Sequence, residues 1–124
     1  MLKECPAFSG FSTQNLDETH KFYSEILGLE VKIHEMGFME VQLKGSAPVM
    51  IYAKDNHEPA TFTVLNFTVE DIDKMVDNLR AKGVKMEHYE GFEQDEKGIA
   101  RGEGPSIAWF KDPGGNVLAL MEDY

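Results

Sequence analysis

The sequence predicts an α+β protein built from two tandem β-α-β-β-β modules. Two observations carry this. The first is an internal repeat: Asn15-Leu16-Asp17 returns as Asp71-Ile72-Asp73, and Gly28-Leu29 returns as Gly83-Val84, offsets of 56 and 55 positions in a chain of 124 residues. The second is that helical and extended periodicities follow one another in the same order in both halves. The polar, proline-bearing stretch Asp55-Asn56-His57-Glu58-Pro59 separates them, giving module one over 7–54, a linker over 55–60 and module two over 61–122.

In the first half, Leu16, Thr19, Phe22, Tyr23, Ile26 and Leu27 recur at helical spacing. Asn15 suits the N-cap with Glu18 three residues on, and Gly28 suits the left-handed stop. In the second half the stripe is Ile72, Met75, Val76 and Leu79, with Asp71 as cap and Gly83 as stop. Extended segments over 7–13 and 61–69 precede the helices. Three follow each: 29–34, 39–44 and 49–54, then 84–89, 106–110 and 117–121. Gly45-Ser46-Ala47-Pro48 and Asp112-Pro113-Gly114-Gly115-Asn116 have turn chemistry between the last two strands of each module.

Alternation assigns faces. Leu65, Phe67 and Val69 oppose Val64, Asn66 and Thr68, while Leu118 and Leu120 oppose Val117, Ala119 and Met121. Met39, Val41 and Leu43 oppose Glu40 and Gln42. The more apolar face is expected under the helix. The mixed face, with amides, hydroxyls and aromatics, has the make-up of a small-molecule cleft, around which the two half-sheets would curve.

Composition excludes several classes. Twelve Lys and Arg stand against 22 Asp and Glu, a formal charge of -10. Such a surface repels phosphate backbones, so no nucleic-acid partner is expected. No apolar run approaches the roughly 20 residues of a membrane span, so no membrane association is expected either. The N-terminal residues lack an apolar signal core. A lone cysteine, Cys5, suits a reducing compartment, so a cytoplasmic location is expected; the thiol itself reads as inert, having only Lys3 nearby.

Asn15-Leu16-Asp17, Phe22-Tyr23 and Leu27-Gly28-Leu29 resemble the first-module signature of the vicinal oxygen chelate superfamily, which holds glyoxalases, bleomycin- and fosfomycin-resistance proteins and extradiol dioxygenases. Val69-Glu70-Asp71-Ile72-Asp73 with Gly83-Val84 resembles the second-module counterpart, and Phe110-Lys111-Asp112-Pro113-Gly114-Gly115-Asn116 resembles the final hairpin. The resemblance implies the glyoxalase/bleomycin resistance/dioxygenase fold, a curved mixed sheet around a cleft, and a homodimer.

It also implies where a divalent metal would sit in metal-dependent members: a His on the first strand, a His on the strand opening module two, a Glu after the Asp-Pro turn, and sometimes a ligand from the last strand of module one. Anchored on Asn15, Asp71 and Asp112-Pro113, these positions hold Phe8, Val64 and Ala119, and the last strand of module one offers Met50, Ile51 and Tyr52. The immediate neighbours, Ala7, Ser9, Thr63, Leu65, Leu118 and Leu120, supply no His or carboxylate either. Such side chains do not ligate hard or borderline cations. The expectation is therefore a protein without the usual metal site and without a cofactor.

The expected function is small-molecule binding or sequestration, in a cleft lined by Phe8, Glu40, Tyr52, Val64, Asn66, Arg101, Trp109 and Ala119. Glu40 brings a carboxylate. Asn66 brings an amide in a strand, where its residue type is disfavoured. Tyr52 and Trp109 bring rings on central strands. The glycine-punctuated segment 90–105 is expected to cover the site, with Arg101 either gripping an anionic ligand or offsetting Asp95, Glu96 and Glu103. The alternative is a metal-dependent glyoxalase-like lyase, isomerase or dioxygenase with relocated ligands such as His34, Glu40 or His88. A third reading is a module whose purpose is association with other chains.

Overall fold

The computed structural model describes residues 1–102 and 104–122, in two compact units, Met1–Pro59 and Ala60–Tyr124. Among the described residues no helix is long and apolar enough to cross a membrane. Glu103 lies outside them.

In the first unit a 3-10 turn, Leu2–Glu4, precedes strand β1, Gly10–Thr13. Helix α1, Leu16–Lys21, follows and widens into a π-helical turn, Phe22–Ile26. The strands β2 (Val31–His34), β3 (Phe38–Val41) and β4 (Val49–Ala53) complete the module. The sheet order is β1-β4-β3-β2, with β1 parallel to β4 and the other pairs antiparallel.

In the second unit β5 (Thr63–Val69), α2 (Ile72–Ala81), β6 (Met86–Glu87), β7 (Ile107–Lys111) and β8 (Val117–Glu122) repeat this plan in the order β5-β8-β7-β6. The predicted fold class, α+β with two tandem βαβββ modules, is the one observed.

Both helices start at the predicted caps. Asn15 Oδ1 accepts the Glu18 N–H at 2.9 Å, and Asp71 Oδ1 accepts the Lys74 N–H at 3.1 Å. Glu122 adds a second carboxylate at α2, where its Oε2 accepts the Ile72 N–H at 3.0 Å. Gly28 and Gly83 have φ of 72° and 88°, the left-handed stop expected of them.

The π turn was not expected. Leu27 N–H bonds to Phe22 C=O at 3.0 Å, five residues back. The wider turn lets two consecutive aromatics, Phe22 and Tyr23, both face inward (7% and 0% exposed), with their rings edge to face at 5.4 Å.

Each helix covers the more apolar sheet face. Met39, Val41 and Ile51 are fully buried in module one, and Ala108, Phe110, Leu118 and Leu120 are buried in module two, where α2 packs on β7 and β8. Thr13 and Thr19 share a buried hydroxyl bond at 2.8 Å that ties α1 to β1. Met75, expected in the α2 stripe, is 37% exposed; Ile72, Val76 and Leu79 suffice to fill the helix–sheet space.

Most strands are shorter than predicted, while β7 keeps the predicted length and β8 gains a residue. β1 begins at Gly10 rather than residue 7, and β6 is two residues long. β5 carries a register shift between Thr63, opposite Val117, and Leu65, opposite Leu118, which leaves Val64 as the extra residue.

The glycine-punctuated 90–105 segment contains a short hairpin. Ala100 bridges both Gln94 and Ile107, and Ile99 is 1% exposed. Gln94 holds it from within: Oε1 accepts the Tyr89 N–H at 2.7 Å, and Nε2 donates to Gly98 C=O at 2.7 Å and Glu87 C=O at 2.9 Å. Gly98 sits at φ 84°, and a Cβ there would lie 3.2 Å from Met86 Cβ, so only glycine fits.

Candidate functional site

On the face of each sheet opposite the helix, register places the side chains in rows. One row in module one runs Gly10–Met50–Glu40–Lys32 across β1-β4-β3-β2, and the next runs Ser12–Tyr52–Phe38–His34. In module two the row Asn66–Ala119–Trp109–Glu87 crosses β5-β8-β7-β6. The repeat makes Gly10 equivalent to Asn66, so Glu40 and Trp109 hold the same position in their modules.

Three of the predicted site residues, Asn66, Ala119 and Trp109, thus stand side by side. Asn66 is exposed, so water can meet its amide. Ala119, at 1% exposed, lies between the other two. Trp109 is half-buried, edge to face with Tyr89 at 5.6 Å and tilted against Phe92 at 5.1 Å. Beside these rings lies a pocket of about 430 Å³, lined also by Phe62, Thr63 and Val117. Tyr89 Oη is buried with no hydrogen-bond partner among the described residues. Burial, with Glu87 adding a nearby negative charge, raises the Tyr89 phenol above its ordinary pKa.

Neither Tyr89 nor Phe92 was singled out from sequence. Both lie where periodicity ends, and the only available signal was the spacing of aromatics in a glycine-rich segment.

Module one brings Phe8 and Glu40 together in a pocket of about 480 Å³, with Phe38, Met50, Pro48 and Ala7 among its walls. Phe8 is 67% exposed. Tyr52 belongs to the adjacent row, opposite Phe38, and is 38% exposed. The His34 ring stacks on Phe38 at 4.4 Å and 14°, and its Nε2 lies 3.2 Å from Glu40 Oε1. That nitrogen is buried but lacks hydrogen-bond geometry to any described partner.

Arg101 is engaged elsewhere. Its Nη2 lies 2.6 Å from Asp73 Oδ1 on α2 and 3.2 Å from Asp95 Oδ2. Lys97 pairs with Asp77 at 2.9 Å and with Asp73 at 3.7 Å. The segment is therefore latched to α2 by ion pairs. Asp73 is held below the ordinary carboxylate range by the Arg101 hydrogen bond. Asp95 is also lowered: partial burial opposes this, but the Ile99 and Lys97 N–H groups and Arg101 outweigh it.

Phe8, Val64 and Ala119, at the positions where metal-dependent relatives were expected to carry ligands, offer no donor atoms and do not fit a metal. Among the described residues no three His, Cys, Asp or Glu side chains are grouped to hold one. Of the relocated candidates, His34 and Glu40 pair with each other. His88 belongs to the second unit, where its Nε2 lies 3.4 Å from Asp95 C=O.

Comparison with known proteins agrees with the architecture. TnmS3, an antibiotic-binding protein from a Streptomyces species, superposes with a TM-score of 0.73 at 20% identity over 98% of both chains. The fosfomycin resistance protein FosX from Listeria monocytogenes gives 0.72 at 17% identity, over 95% of this chain and 92% of that one. Lactoylglutathione lyase from Agrobacterium tumefaciens gives 0.69 at 17%, over 96% and 93%. No curated protein matches the sequence. The family model for the Glyoxalase/Bleomycin resistance protein/Dioxygenase superfamily matches residues 9–120. The chain belongs to that superfamily.

Proposed function

We propose that the chain binds and sequesters a planar aromatic small molecule, without a divalent metal or other cofactor. The observation that carries this reading is the Trp109–Tyr89–Phe92 cluster beside its pocket, where the Tyr89 hydroxyl has no hydrogen-bond partner among the described residues. Small-molecule sites combine apolar and aromatic walls with a few placed polar groups, and a buried hydroxyl without a partner costs free energy that a ligand can recover. Asn66 and Ala119 extend the surface in module two; Phe8, Glu40 and Tyr52 form its counterpart in module one. Val64, set out of register, shapes the rim, and Arg101 contributes through the latch. The description of TnmS3 as an antibiotic-binding protein supports this class of function. In the same proposal the protein works as a homodimer in the cytoplasm.

Trp109 is the chain's single tryptophan, so its fluorescence reads the site directly. Titration with planar aromatic compounds is expected to quench it saturably, and a broad library without any response overturns the reading. Elemental analysis after metal soaking tests the other half. Stoichiometric, tightly held zinc, nickel, iron or manganese would replace it with the metal-dependent alternative.

A further inference from the structure

Glu40 is a carboxylate where its counterpart in module two is Trp109. Among the described residues lining the module-one pocket, it alone carries a charge; the other walls are proline, alanine, methionine and phenylalanine. About a third of its side chain is exposed. By register, the charged or titratable groups facing it on the same sheet face are Lys32, directly opposite on β2 and exposed, His34, diagonal on β2, and Tyr52, diagonal on β4. β4 presents Met50 to it.

The chain itself already sets a flat, nitrogen-bearing ring beside this carboxylate. The His34 ring lies on Phe38, with one nitrogen 3.2 Å from Glu40 Oε1. Its alignment does not make a hydrogen bond to that oxygen. An ionised carboxylate accepts several hydrogen bonds and favours charged, planar, two-pronged donors. An apolar pocket beside such a group offers little to an anion and leaves a neutral ring without charge pairing.

Resting on the small-molecule reading above, we propose that the module-one pocket takes an organic cation, an amidinium or protonated amine carried on a flat apolar body, with Glu40 as its counter-ion. The apolar body lies against Phe8, Phe38 and Met50, and the charged nitrogen meets the Glu40 carboxylate on the side away from His34. Charge-assisted pairing in a partly desolvated pocket discriminates against an uncharged isostere more strongly than at a fully solvated surface.

The test uses three probes of one shape: benzamidinium, benzamide and benzoate. Each is titrated into wild type and into Glu40→Gln at neutral pH, with the Ala7, Ala47 and Met50 methyl signals followed by NMR. Benzamidinium is expected to bind wild type at least tenfold more tightly than benzamide, with benzoate weakest. In Glu40→Gln the benzamidinium affinity should fall to that of benzamide, while the buried Met39 and Val41 methyl signals stay in place as evidence of an intact fold. Equal affinity for all three probes, absence of any shift, or a preference that survives in Glu40→Gln each overturns the proposal. Saturable quenching of Trp109 by neutral aromatics alongside such a result would leave the small-molecule reading standing and remove only the cation pocket.

Discussion

Asp112 and Asn116 hold each other across the tip of the β7–β8 hairpin. The Asp112 carboxylate accepts the Asn116 N–H at 2.9 Å and its side-chain amide at 3.1 Å, and also takes the Gly114 N–H at 2.9 Å. Both residues are almost wholly buried, at 5% and 2% exposed. The backbone closes the same turn, with Asp112 N–H bonded to Asn116 C=O at 3.0 Å and Gly115 at φ 81°.

Replacing Asp112 with Ala removes the acceptor of the buried Asn116 N–H and of one side-chain amide bond, and each buried donor left unsatisfied costs about 1–3 kcal/mol. The expected loss for Asp112→Ala is about 2–4 kcal/mol in urea unfolding, with Asp112→Asn milder because an amide oxygen still accepts. A loss below about 0.5 kcal/mol, the level of an ordinary surface change, would mean that the turn is held by its backbone alone.

The latch between the 90–105 segment and α2 is expected to loosen in acid. Asp73 and Asp95 are both held below the ordinary carboxylate range in the folded protein. A carboxylate lowered on folding adds stability above its unfolded pKa and loses it as pH falls through the folded one. Hydrogen exchange at the Lys97 and Ile99 amides, both bonded to Asp95 Oδ1, should lose protection below about pH 4 in excess of the intrinsic rate change. Added salt should weaken the exposed Arg101–Asp73 and Lys97–Asp77 pairs without reaching the buried Asp112 turn.

Tyr89→Phe separates a structural hydroxyl from a ligand-directed one. The Tyr89 oxygen is buried and has no partner among the described residues, so its removal is expected to leave stability unchanged or raise it by about 1 kcal/mol. Affinity for a planar ligand with a polar edge should fall severalfold, read by Trp109 fluorescence. A clear destabilisation would show that the hydroxyl serves the fold instead.

What the sequence revealed was local. The Asn15 and Asp71 caps, the Gly28 and Gly83 stops and the Asp112 turn each involve residues within a few positions of one another, and each stands where the residue types put it. The row Asn66–Ala119–Trp109 was also within reach, because alternation set Asn66 and Ala119 on the mixed face and Trp109 was placed on a central strand lining the same cleft. What escaped depends on distance along the chain or on register. Arg101 finds Asp73 28 residues away, and nothing local distinguishes that carboxylate from its neighbours. His34 meets Glu40 only because β2 and β3 pair His34 with Phe38, which makes the two diagonal neighbours. The shift at Val64 and the π turn at Phe22 are each a one-residue departure from a periodic pattern, forced by packing that no period encodes.

In both modules the strand that closes the sheet is the last one made, and it slots between the first and the third. Gly10 has no partner until Met50 exists, and Thr63 waits in the same way for Val117. During synthesis each half therefore keeps an open sheet edge until its closing strand emerges, the condition in which unpaired strands are most exposed to wrong pairing.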